Sequence, residues 1–114
     1  MIITKLYTGN DNKSHFIDIE CERDSFQALG WYSRKFPASG IIFRDFEKGL
    51  VYEMHNAPQQ QYIVYLEGEV EVNASGGETR IFKTGDVLLA TDTTGEGHVS
   101  RTLTNGKSVI ITIN

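Results

Sequence analysis

Hydrophobic and polar residues alternate with a period of two along most of the chain, which predicts short β-strands. The segment 61–66 differs from the others because both of its faces are largely apolar. One face carries Gln61, Ile63 and Tyr65, and the other carries Tyr62, Val64 and Leu66. A strand with one side in water would carry polar residues on that side. We therefore expect the second face to be covered by another sheet, by the N-terminal segment or by a partner subunit.

The end of the chain carries the clearest hairpin signal. Asn105 and Gly106 separate two β-rich runs, 98–104 and 108–113, and an Asn-Gly pair favours the type I′ turn of a two-residue hairpin. Further turns are expected at residues 9–12, 48–49, 73–77 and 83–86. Together these signals predict a single all-β, antiparallel domain over residues 1–114, either closed or sandwiched.

One segment is ambiguous between helix and strand. Residues 24–29 are compatible with a short helical turn that Asp24 or Ser25 caps and Gly30 ends. From Trp31 onward the pattern is more typical of a strand. We therefore expect at most one helical turn in an otherwise β-rich chain.

The composition narrows the classes of function. The chain has 114 residues, which is the length of one domain, and its net charge of -4 argues against nucleic-acid binding. Cys21 is the single cysteine, so no intrachain disulfide and no cysteine-rich zinc site is expected. We find no apolar run that would span a membrane and no signal-peptide pattern, so we expect a cytoplasmic protein without a membrane partner.

Glycine and histidine recur at a defined spacing in the middle of the chain. Gly49 is followed after five residues by His55, and Gly68 closes the segment. This spacing resembles the first cupin motif, which reads Gly, five residues, His-x-His, three or four residues, Glu, six residues, Gly. Ala57 stands at the second histidine position of the motif and Gln61 at its glutamate position.

A second segment resembles the other cupin motif, which reads Gly, five residues, Pro-x-Gly, two residues, His, three residues, Asn. Gly85 matches its start, and Gly95 with His98 keeps the Gly-x-x-His step across a longer loop. Thr91 stands at the proline position and Thr102 near the asparagine position. The resemblance, over residues 49–68 and 85–102, implies a jelly-roll β-barrel of the cupin type.

The resemblance also implies a site inside the barrel. By position, a divalent metal ion (Zn, Ni, Fe or Mn) would be held by His55, Gln61 and His98. Glu53 lies two residues before His55, so on a regular strand both side chains would share a face, and Glu53 would be a fourth ligand or a general base. The alternatives are an exposed carboxylate and a site without metal.

Other residues are candidates for binding and proton transfer. Tyr65 shares the face of Gln61 and, with Glu53, is a candidate for moving protons. Asp92 and Thr94 lie in a loop rich in hydroxyl, carboxylate and glycine groups, which we expect to bind a polar small molecule unless it only caps its own turn.

These features support three hypotheses of function. The first is a small cupin that binds a polar small molecule in its barrel, as a metal-assisted isomerase or lyase acting on a sugar-like or keto-acid substrate. The second is a metal-free, non-catalytic binding or sensing module, and the third is a metal-dependent oxygenase. In each case we expect a homodimer, because a small chain with a two-sided apolar strand favours association.

Overall fold

The computed structural model describes residues 1–113, which form twelve β-strands and no helix. The strands are β1 (Ile2–Thr8), β2 (Ser14–Glu20), β3 (Ser25–Gln27), β4 (Gly30–Tyr32), β5 (Gly40–Phe46), β6 (Val51–His55), β7 (Gln61–Glu67), β8 (Glu69–Ala74), β9 (Thr79–Lys83), β10 (Val87–Ala90), β11 (His98–Thr102) and β12 (Gly106–Thr112). The all-β expectation is therefore confirmed. Within the described residues, no helix has the length and apolarity that crossing a bilayer requires.

Two sheets and one small hairpin make up the fold. The larger sheet has six strands in the order β2-β1-β10-β7-β12-β5, the smaller has four in the order β6-β11-β8-β9, and β3 pairs with β4. One pair is parallel, β1 with β10, so the larger sheet is mixed and not purely antiparallel as expected. Backbone ladders do not join the two sheets of residues 1–113 into one closed barrel, so the closed form stays a prediction.

The hydrophobic core lies between the two sheets. Its aromatic centre is a row in which the ring of Phe82 lies 6.0 Å from that of Phe16 and 5.4 Å from that of Tyr65. Leu6 and Val72 are buried beside them. The strands that supply this centre are β1, β2 and β7 from one sheet and β8 and β9 from the other, and burial of these side chains is the main stabilising term.

The two-sided apolar strand is β7, and its faces have different surroundings. Ile63 and Tyr65 are buried between the sheets. On the other face Tyr62 borders a crevice together with Phe36, which belongs to the segment before β5, whereas Leu66 stays exposed. This face is therefore only partly covered, and the crevice at Tyr62 is lined by residues 19–24 as well as by Arg34 and Phe36.

The predicted Asn-Gly hairpin near the end of the chain is wrong. The strands on either side of it, β11 and β12, belong to different sheets, and neither Asn105 nor Gly106 has a positive φ. The Asn105 side chain accepts a hydrogen bond from the backbone N–H of Lys48 at 2.8 Å, and a Cβ on Gly106 would collide with the ring of Phe46. These long-range contacts carry the chain from one sheet to the other and outweigh the local turn preference.

The predicted helical turn at residues 24–29 is also wrong. Here β3 and β4 form a hairpin in which Phe26 lies opposite Trp31, with the ring centroids 5.5 Å apart and edge to face. The N–H of Asp24 donates to the carbonyl of Tyr32 at 2.7 Å. The cross-strand aromatic pair and this backbone hydrogen bond both stabilise the hairpin. The expected turns at residues 9–12, 48–49, 73–77 and 83–86 are confirmed as strand connections.

Candidate functional site

A cavity of about 640 Å³ opens between the two sheets. This volume is in the range of about 300–1,000 Å³ that is usual for small-molecule sites. Its wall is mostly apolar, with Ile63, Leu88 and Ile110 among its residues. Its polar wall groups include His55, His98, Gln61, Ser100, Tyr52, Tyr65 and Arg44. The cavity can therefore hold a molecule that is partly apolar and carries a few polar groups.

His55 and His98 come together on the cavity wall, as the motif spacing implied. They lie directly opposite each other in the pairing of β6 with β11, and their ring centroids are 4.3 Å apart. The ring of Tyr52 stacks on His55 with its centroid 3.4 Å away. Gly97, at a positive φ, fits here because a Cβ at this position would collide with the carbonyl of His55.

A β-bulge in β6 changes the expected position of Glu53. His55 pairs with His98 but Tyr52 pairs with Ser100, so three steps along β6 match two steps along β11. The strand alternation that would place Glu53 beside His55 is therefore interrupted. The Glu53 side chain is exposed, and the contact between the two residues is a hydrogen bond from Nδ1 of His55 to the backbone carbonyl of Glu53, 2.7 Å long.

Asp92 lies beneath the cavity and supports His98. Its side chain is 0% exposed, and its Oδ2 accepts hydrogen bonds from Nδ1 of His98 at 2.6 Å and from the hydroxyl of Ser14 at 2.7 Å. Direct substrate binding by Asp92 does not agree with this burial. Thr94 is exposed and does not line the cavity, so the loop expected to bind the ligand instead orients a histidine.

The hydrogen bonds define the state of the two imidazoles. Both Nδ1 atoms donate, from His98 to Asp92 and from His55 to the carbonyl of Glu53, so in a neutral imidazole of either residue Nε2 carries the free lone pair. Burial lowers the pKa of His55, and a protonated His98 lowers it further, against smaller opposing effects of the Glu53 carbonyl and of Asp92. His55 is therefore neutral at pH 7 and can accept a hydrogen bond from a ligand.

The residues do not fit the divalent metal ion that the resemblance implies. The two oriented imidazoles meet one requirement of such a centre, since each Nδ1 has a partner. However, Gln61 offers only a neutral amide and Ala57 offers no ligand atom. No group of three or more His, Cys, Asp and Glu within residues 1–113 is placed to hold a metal ion. Without an anionic ligand this donor set does not offset the desolvation of a dication.

Tyr65 and Gln61 lie on the cavity wall on the face of β7 that the alternation predicted. Burial raises the pKa of the Tyr65 hydroxyl far above its usual value, against an opposing effect of Arg44. The hydroxyl therefore stays protonated at neutral pH and serves as a hydrogen-bond donor, not as a base.

Several residues of the site were missed in the sequence. The hydrogen bond of Ser14 to Asp92 and the stacking of Tyr52 on His55 depend on long-range pairing and on the bulge, for which the sequence has no signal. Arg44 was detectable, because it alternates with Ile42 and Phe46 along β5 and so belongs to the same inward face.

Comparison with known proteins bears on the fold. No family model and no curated protein matches the sequence. A conserved protein of unknown function from Streptococcus pyogenes shares the fold at a TM-score of 0.55 and 15% identity, over 72% of this chain and 69% of that one.

Two further solved structures are similar. An RmlC-like cupin protein from Desulfovibrio desulfuricans aligns at a TM-score of 0.49 and 20% identity, over 96% of this chain and 79% of that one. A putative ethanolamine utilization protein Q from Salmonella typhimurium aligns at 0.44 and 17%, over 100% and 98%. At TM-scores below 0.5 these two likenesses carry no information on ligand or activity.

The arrangement of the described residues is cupin-like. Two sheets face each other across a cavity, and the histidines of both motifs, His55 and His98, lie side by side on its wall. The glycines at the motif ends, Gly49, Gly68 and Gly85, all have a positive φ at connections between strands. The fold agrees with the resemblance, and the altered ligand positions distinguish this site from a metal centre.

Proposed function

We propose that this protein binds a small carbonyl compound in its cavity and moves a proton on it without a metal ion, as an isomerase or lyase does. The observation that carries the proposal is the buried pair of Asp92 and His98 next to a neutral His55 on the cavity wall. A carboxylate that holds Nδ1 of an imidazole keeps Nε2 as a proton acceptor and stabilises the imidazolium that forms. Pairs of this kind are typical of general bases.

In the proposed step, Nε2 of His98 removes a proton from the carbon next to the carbonyl group. The C–H bond breaks, its electron pair forms a carbon–carbon double bond, and the negative charge moves to the carbonyl oxygen. Neutral donors on the same wall, the amide of Gln61 and the hydroxyl of Tyr65, can hydrogen-bond this oxygen. When the proton on His98 exchanges with solvent deuterium before it returns to the same carbon, the result is hydrogen–deuterium exchange. In an α-hydroxy carbonyl compound, transfer of the hydroxyl proton to the former carbonyl oxygen and of the His98 proton to the former carbonyl carbon completes an isomerisation.

The step is testable as hydrogen–deuterium exchange. Purified, untagged protein treated with EDTA is incubated in D₂O with 2-oxobutanoate as a keto acid and with dihydroxyacetone as a sugar-like carbonyl, and loss of the proton signal next to the carbonyl is followed by NMR. We expect exchange faster than in buffer with at least one probe. His98→Gln and Asp92→Asn should each reduce this acceleration by about 10²-fold or more, the usual contribution of general base catalysis.

The matched control is His15→Gln, since His15 pairs with Asp11 outside the cavity and the variant should exchange at the wild-type rate. Exchange at the buffer rate with both probes would contradict the catalytic proposal and favour the non-catalytic binding module. Loss of activity on EDTA treatment with recovery on adding Zn, Ni, Fe or Mn would instead support the metal-assisted form, including the oxygenase hypothesis. The cytoplasmic location stays a prediction.

We also propose that the chain forms a homodimer through its β5 edge. Within residues 1–113, strand β5 pairs only with β12, and the face of β5 that points away from the cavity carries Ile41 and Phe43, both largely exposed. The neighbouring edge strand β6 exposes Val51 and Met54. An unpaired edge with large apolar side chains is a site where another chain adds.

A further inference from the structure

Three polar side chains form a row across the larger sheet. Arg44 on β5 lies opposite Ser108 on β12, and Ser108 lies opposite Tyr65 on β7. Arg44 and Tyr65 both line the cavity that holds the two histidines, and Ser108 lies between them in the register. The row therefore places a guanidinium, an aliphatic hydroxyl and a phenol on neighbouring strands of one sheet.

Arg44 is held in place without an acidic partner. Its Nε donates to the hydroxyl of Ser108 at 2.8 Å, and its guanidinium lies 5.6 Å from the ring centroid of Phe46. No carboxylate within residues 1–113 lies at ion-pair distance from it. A partly buried guanidinium is normally paired with an anion. In this protein the terminal N–H groups of Arg44 are therefore available to bind an anion.

The acidic groups nearby do not fill this role. Asp45 is exposed and alternates away from Arg44, opposite Lys107 in the register. Glu53 is exposed at the rim of the cavity, and the Asp86 charge acts on the Tyr65 hydroxyl without reaching Arg44 as an ion pair. Asp45 and Glu53 also line the cavity, but among residues 1–113 neither they nor any other carboxylate forms an ion pair with Arg44.

We propose that Arg44, Ser108 and Tyr65 form a carboxylate-binding subsite, so that the molecule held in the cavity is a carboxylic acid. The terminal amines of Arg44 would bind the two carboxylate oxygens in the bidentate manner that suits a guanidinium, and the Tyr65 hydroxyl would add a neutral donor. The apolar wall between this subsite and the histidines would contact the carbon chain. This inference rests on the proposed function, and it narrows the substrate class to keto acids and related carboxylates.

Hexanoate and hexanamide are suitable probes, because they differ only in the charged group. Their binding is measured by ligand-observed NMR and calorimetry. We expect the wild-type protein to bind hexanoate at least about tenfold more tightly than hexanamide, as charge-assisted bonds to a guanidinium imply. Arg44→Gln should remove this preference by weakening hexanoate binding alone, and Arg44→Lys should retain part of it.

The matched control is Arg101→Gln, which removes the same charge from an exposed arginine that pairs with Asn73 and Glu71. This variant should keep the wild-type preference. Ser108→Ala gives an independent reading if Arg44→Gln fails to fold, since loss of the Nε anchor should also reduce the preference for hexanoate.

The result that overturns the inference is equal affinity of wild-type protein for both probes, or an unchanged preference in folded Arg44→Gln. Binding of hexanamide in the cavity, with equal affinity for hexanoate, would refute the carboxylate subsite and leave the proposed function standing. Absence of binding by either probe, together with exchange at the buffer rate, would contradict both. Proton exchange of dihydroxyacetone but not of 2-oxobutanoate would support the proposed function and contradict the carboxylate subsite.

Discussion

The two sides of the space between the sheets differ in what fills them. The packed side, built by β1, β2, β8, β9 and β10, is filled by buried side chains such as Leu6, Phe16 and Phe82. The open side, at the edge strands β5 and β6, borders the cavity, where Tyr52 is 61% exposed, and the outward face of β5 beside it exposes Phe43 to 76%. The same pair of sheets therefore provides a core at one side and a binding site at the other.

The difference separates stability from function. A filled core gains the free energy of apolar burial and of close packing, and any void there is costly. The open side gains little free energy of folding from its exposed apolar residues in a single chain, and such a group of residues is typical of a binding surface. We interpret the cavity as the place for a ligand and the β5 edge as the place for a second chain.

The largest expected effect is at the packed side. Phe82→Ala removes a ring that is 3% exposed and stacks on Tyr65, so we expect a loss of about 3–5 kcal/mol in the free energy of unfolding. Phe43→Ala should change it by no more than about 0.5 kcal/mol, because that ring touches mainly solvent in one chain. Urea denaturation, at a protein concentration too low for association, measures both. Equal losses would contradict the distinction between the two sides.

The second expected effect concerns association at the open side. Phe43→Glu places a charge on the β5 edge and should convert a dimer into a monomer, as read by light scattering at micromolar concentration. The matched control is Ile81→Glu, since Ile81 is also an exposed apolar residue of an edge strand but lies on β9. We expect this control to remain dimeric. A monomeric wild-type protein would contradict the proposed interface.

The sequence predicted the parts of the molecule that depend on local pattern. Strand alternation identified the inward face of β7, and the motif spacing brought His55 and His98 together without any knowledge of the strand order. Both succeed because they rest on chain geometry within one strand or on the spacing of the histidines from nearby glycine turns. The all-β class follows from the same alternation.

Most of the failures involve contacts between segments distant in the chain, and the exception is residues 24–29, where the local β3–β4 hairpin replaces the predicted helical turn. Asn105 and Gly106 have a strong local turn preference, yet pairing of the flanking strands with other partners decides their conformation. Glu53 was expected to share a face with His55 because strand residues alternate, but the bulge in β6 interrupts that alternation. Asp92 was predicted to bind substrate, whereas it is buried and accepts hydrogen bonds from His98 and from Ser14, which lies 78 residues earlier in the chain.

The smallest expected effect is a pH dependence of the unfolding temperature, which tests whether His55 at the open side is shielded from water. Because burial lowers the pKa of His55 below the ordinary histidine value of 6.5, the unfolded chain binds this proton more readily than the folded chain. His55 therefore contributes its full stability above pH about 6.5 and loses it as the pH falls toward its folded-state pKa. We expect the unfolding temperature, measured in EDTA, to fall between pH 7.5 and 5.5, and to fall less in His55→Gln.

The stacked ring of Tyr52 offers a matched pair of variants for this measurement. Tyr52→Phe keeps the aromatic cover over His55 and should keep the wild-type pH dependence, whereas Tyr52→Ala exposes the imidazole and should weaken it. Both Tyr52 variants leave His98 and Asp92 unchanged, so a difference between them reports the burial that lowers the pKa of His55. An equal pH dependence in all four proteins would mean that His55 is not desolvated, and that the open side is wetter than its stacked wall implies.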